Sequence, residues 1–132
     1  MNANVTDASA IPAGDLSETR DLVDVPAVEV IATLAVHLMS AAAVKLGLAE
    51  GGEADQDLDE ARKLITALAG LVTAAASEIG SQHAAPLRDG LRTLQLAFRE
   101  ASPYPDEPGR GPGEKYTGAV YVSATSATSA TA

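Results

Sequence analysis

The sequence predicts an all-α protein: a small three-helix bundle with disordered N- and C-terminal tails, completed by dimerisation. Three observations predict it. Apolar residues recur at three- and four-residue steps in three successive segments. Proline and glycine sit between and beyond those segments, where they punctuate rather than interrupt. The chain has 132 residues, 46% hydrophobic but only 3% aromatic. That is one domain whose core must be built from Leu, Val, Ile and Ala, and such a core is thin. The expected organisation is an acidic leader over 1–22, a helical domain over 23–102, and a tail over 103–132 that is first Pro/Gly-rich and then Ser/Ala/Thr-rich.

The leader is small, polar and aperiodic, broken by Pro12 and Gly14, and reads as disordered. It lacks a basic segment followed by an apolar run, so no secretory signal is expected and the expected location is the cytoplasm. The first helix is expected from Val25 or Pro26 to Leu46, with Asp24 as N-cap and Gly47 as a left-handed C-terminal cap. The polar, glycine-containing "LAEGGEADQD" makes the turn to a second helix near Asp57. Asp57 and Glu60 have the spacing of a capping box. Leu58, Ala61, Ile65, Leu68, Val72, Ala75 and Ile79 form the apolar face of that helix, and Gly80 stops it. The third helix begins at Gln82 or at Pro86 and runs to Ala101. Leu87, Leu91, Leu94, Phe98 and Ala101 make its 4-3-4-3 stripe.

Phe98 is the sole phenylalanine and is expected to anchor the core. Beyond Ser102, "PYPDEPGRGPGEKYTG" carries four of the seven prolines and is expected to be extended or disordered. "AVYV" is too short to make a sheet alone, and "SATSATSATA" has no apolar face.

The first helix poses a packing problem. Its charge-free run over 30–44 is about 22 Å long at helical rise, short of the roughly 20 residues that span a bilayer, so no membrane span is expected. Glu29, Thr33, His37 and Ser40 share one narrow polar arc of the helical wheel, and the remainder is apolar. Three helices alone offer few places to bury such a surface, which points to a homo-oligomer. The expected core and interface set is Ile31, Leu34, Leu38, Leu68, Leu91, Leu94 and Phe98.

Chemistry is sparse. A net charge of -9 argues against electrostatic binding to DNA, RNA or anionic lipid. The absence of cysteine removes disulfides, thiolate metal sites and thiol catalysis. His37 and His83 are the two histidines; a metal or acid–base enzyme built on them is an alternative, but no second ligand stands at helical spacing from either. The acids of "EGGEADQDLDE" lack the order of a calcium loop. No phosphate-loop or nucleophile motif is present. No catalytic, metal or cofactor site is therefore expected, and the chain is not expected to be an enzyme. Arg88, Arg92, Gln95 and Arg99 recur on one face of the third helix, taken as opposite the leucine stripe, and are the candidates for gripping an acidic partner.

The apolar first helix ending in Leu46-Gly47, the pattern Asp57, Leu58, Ala61, Arg62, Ile65, Leu68, and the Leu-rich third helix closing on Phe98 resemble the family known as domain of unknown function 1844. The "GPGEKYTG" segment resembles its actinobacterial-type members. The resemblance implies a small helical bacterial protein with no assigned reaction. It also implies an association with translation through neighbouring genes, so a ribosome- or translation-factor-associated accessory role using the arginine face is a further alternative.

Overall fold

The structure is a computed structural model that describes residues 22–121. The expected leader, apart from its last residue, and the "SATSATSATA" repeat lie outside the described residues. The chain divides into two compact units, Met1–Val30 and Ile31–Ala132. Three long helices are present, with no strand among the described residues.

In the first unit, Leu22–Asp24 is a 3-10 turn. Asp24, expected as the N-cap, thus lies two residues ahead of the cap position at Pro26. The carbonyl of Pro26 starts the first helix instead, accepting from the N–H groups of Glu29 at 3.0 Å and Val30 at 3.4 Å. Val30 is 40% exposed.

Helix α1 spans Ala27–Lys45. Its end is a Schellman motif: Gly47, at φ +82°, donates to Val44 O, and Leu48 donates to Ala43 O, both at 3.0 Å. Only glycine adopts that conformation without strain. The loop that follows, with a 3-10 turn at Gly52–Asp55, is tied back onto the helix. Asp57 N–H donates to Lys45 O at 2.8 Å and the Gln56 amide to Leu46 O at 3.1 Å. Two of the carbonyls orphaned at the helix end are satisfied this way.

Helix α2 spans Leu58–Ile79. Asp57 caps it, accepting from Glu60 N–H at 3.2 Å. The capping box is one-sided. Asp57's own N–H is taken by Lys45, and the Glu60 carboxylate holds Lys63 at 2.6 Å. That hydrogen bond and the charge of Glu60 raise the Lys63 ammonium above its ordinary pKa.

Gly80 alone separates α2 from helix α3, Ser81–Ala101. Its φ of +87° and ψ of +155° let one residue reverse the chain. Helix α3 starts at Ser81, ahead of both expected positions. Pro86 is its sixth residue, where the missing N–H removes one helical hydrogen bond, to exposed Gln82.

One core joins the helices. Ile65, Leu68 and Val72 of α2 meet Leu87, Leu91, Leu94 and Phe98 of α3, with Ala35, Ala42 and Leu46 from α1 and its end. Helix α1 thus contributes mostly alanine. Met39 crosses α3 at Gly90, where an added Cβ would lie 2.7 Å from the Met39 sulfur. Ile31 and Leu38 are half-buried. Leu34, expected in the core or an interface, lies outside the core at 49% exposure, with Val36 at 53% and Val44 at 37%. Leu48, one residue past the cap, is 60% exposed. By length and composition α1 is sufficient to cross a membrane, with mean hydropathy 1.9 and 11% of its window buried. The 15-residue figure counted only the charge-free run, whereas the apolar window of this 19-residue helix tolerates a charged residue at its ends.

The segment after α3 departs most from expectation. Residues 103–121 do not trail away: they fold back along α2 and α3 and include a short fourth helix, α4, Glu114–Thr117. The reason is polar, as the site shows.

Candidate functional site

The returning segment is held by three side-chain devices. The first is Glu114, 4% exposed. Its Oε1 accepts from Gly109 N–H at 2.7 Å and Gly111 N–H at 3.1 Å, and its Oε2 from Val120 N–H at 3.4 Å. A carboxylate inside a proline- and glycine-rich loop does the work of secondary structure, supplying acceptors to backbone that has no ladder. The second is Gln95 on α3, 2% exposed. Its amide nitrogen donates to Pro112 O and to Thr117 Oγ1, each at 3.1 Å. The third is Arg62 on α2, whose guanidinium pairs with Asp106 at 2.9 Å and lies 5.0 Å from the centroid of the Phe98 ring.

Close approach makes the rest of the fit. Gly113, at φ +78°, passes α2 so tightly that a Cβ there would lie 2.6 Å from Ala69 Cβ. Tyr116 packs over Gly70, 3.6 Å from where a Cβ would be. Glycine inside a helix costs about 1 kcal/mol against alanine. Gly70 and Gly90 each sit where another segment crosses the helix, and that is the physical return for the cost.

Between the segment and the helices lies a cavity of about 340 Å³. Val72, Leu91 and Val120 supply apolar lining, Arg88 and Arg92 line it from α3, and Tyr116 and Thr117 line it from the returning segment. The Arg92 guanidinium donates to Tyr121 O at 2.5 Å. Arg88 takes part in neither ion pair among the described residues.

The expected row of Arg88, Arg92, Gln95 and Arg99 is therefore divided. Arg88 and Arg92 line the cavity together with Leu91 of the leucine stripe, so the row lies beside that stripe and not opposite it. Gln95 is withdrawn from any outside partner, because it is buried and bonded to the returning segment. Arg99 is half-buried and outside the cavity. His37 and His83 are both exposed, and no group of three metal-ligating residues forms among the described residues. Glu114 had no readable signal, since a lone Glu in a turn-rich segment predicts only solvent. Gly70 and Gly90 did carry one: a glycine in mid-helix marks a close approach.

A family model described as domain of unknown function (DUF1844) matches residues 27–100. No curated protein and no solved structure matches the chain. The match stops short of the segment that forms one wall of the cavity.

Proposed function

The chain belongs to the DUF1844 family, and from that premise we propose that it is a non-enzymatic helical module that self-associates through α1. The observation that carries this reading is the outward face of the helix. Leu34, His37, Ala41 and Val44 follow the alternating three- and four-residue steps of a coiled-coil seam. Leu34 and Val44 are exposed, and no Asp, Glu, Lys or Arg interrupts the run.

The occupant is a second copy of the chain. Two molecules of net charge -9 repel each other over most of their surfaces, and this charge-free ridge is where they approach at least electrostatic cost. A lipid surface is less suitable, because Ala35, Ala42 and Leu46 already commit the opposite side of the helix to the core. The expected affinity is modest. A stable interface buries about 800 Å² on each partner, and the ridge of one helix about 28 Å long supplies only part of that.

Sedimentation equilibrium of the full chain from micromolar to millimolar concentration tests the proposal. Concentration-dependent dimer formation is expected, abolished by Leu34→Glu with the melting temperature retained, since that side chain is exposed. A monomer at every concentration overturns it, and so does flotation with lipid vesicles in place of dimerisation.

A further inference from the structure

We infer that the cavity between α2, α3 and the returning segment binds a small organic monoanion: a carboxylate carrying a short apolar body. At about 340 Å³ the cavity sits at the small end of ligand sites, which run from about 300 to 1,000 Å³. Its lining is apolar at Val72, Leu91 and Val120 and cationic at Arg88 and Arg92, so it suits a molecule with one charged end. Arg92 is already engaged by the Tyr121 carbonyl. Arg88 is exposed and outside both ion pairs, which leaves one guanidinium fork to take one carboxylate side-on. The Thr73 hydroxyl, also at the wall, is a second donor. Of the two cations lining the cavity, Arg88 alone is left to take a ligand charge, and one such cation on a chain of net charge -9 matches one negative charge and disfavours polyanions.

The site is preformed. Glu114, Gln95 and Gly113 fix the segment that closes it, so little ordering opposes binding. No residue of the α1 ridge lines it, and the inference stands independently of self-association.

The test is a titration of the full chain, followed by methyl and arginine side-chain NMR, with hexanoate, hexanol and inorganic phosphate as probes. Saturable hexanoate shifts are expected at Val72, Leu91, Val120 and Arg88. Hexanol should bind about tenfold more weakly or worse, as lost charge-assisted hydrogen bonds require. Arg88→Gln should weaken hexanoate by a similar factor, and Thr73→Trp, which fills the cavity, should abolish binding. The same hexanoate affinity in the Leu34→Glu background is expected. Absence of saturation, an affinity unchanged by Arg88→Gln, or phosphate binding as tight as hexanoate each overturns the inference.

Discussion

Glu114 shows how much structure one residue can hold. Three backbone N–H groups of a segment with no ladder of its own converge on its carboxylate. Removing it by Glu114→Ala leaves donors without partners, at about 1–3 kcal/mol for an unsatisfied buried group. The expected outcome is release of the segment with the helices intact. Trypsin, slow at Arg110 and Lys115 in the parent chain, should cut there readily in the variant while helical circular dichroism is unchanged. The sequence showed Phe98 as the aromatic of the helical domain, and that residue is 3% exposed beneath Arg62. It did not show Glu114 or Gln95 as buried, because their partners are backbone atoms and a hydroxyl 3 to 22 residues away. Composition scored both as solvent-facing.

At the scale of elements, the three helices were legible because periodicity and punctuation agreed. Gly47 and Gly80 ended α1 and α2 where expected. Caps were legible less well, since a cap depends on which neighbour competes for it. The reciprocal half of the Asp57–Glu60 box was lost to Lys45 and Lys63. Gly80 carries a specific liability. Its backbone lies in a region almost reserved for glycine, and forcing another residue there costs on the order of 1–3 kcal/mol. No atom lies within 4 Å of an added Cβ, so Gly80→Ala isolates the backbone effect. Chemical denaturation should show a loss of that size with an unchanged slope, and an unaltered midpoint would show that the turn tolerates a side chain. The cavity could not be read from any one element, because its walls come from α2, α3 and residues 116–120 together.

For the whole molecule, the excess apolar surface of α1 was foreseen, and its cause is now specific. The helix fully buries only Ala35 and Ala42, with Leu38 and Met39 half-buried against the core, and leaves Leu34, Val36 and Val44 outside. His37 falls at the centre of the exposed ridge, and a polar residue in a seam fixes register at the expense of stability. If the ridge joins two copies, His37→Leu should tighten the dimer by about tenfold, the equivalent of 1.4 kcal/mol, as read by sedimentation. An unchanged constant would place the contact elsewhere.

The backfolded segment also sets an order in time. Its seat is composite: Ala69 and Gly70 belong to one helix and Gln95 to the next, so the seat does not exist until those helices have closed on each other. Synthesis delivers residues 103–121 after both. Docking of this segment therefore follows closure of the two helices, and opening runs in reverse. The amides of Gly109, Gly111 and Val120 should exchange with solvent through a shallow fluctuation, well before those of Ile65 and Leu68 in the slowest-exchanging part of the chain.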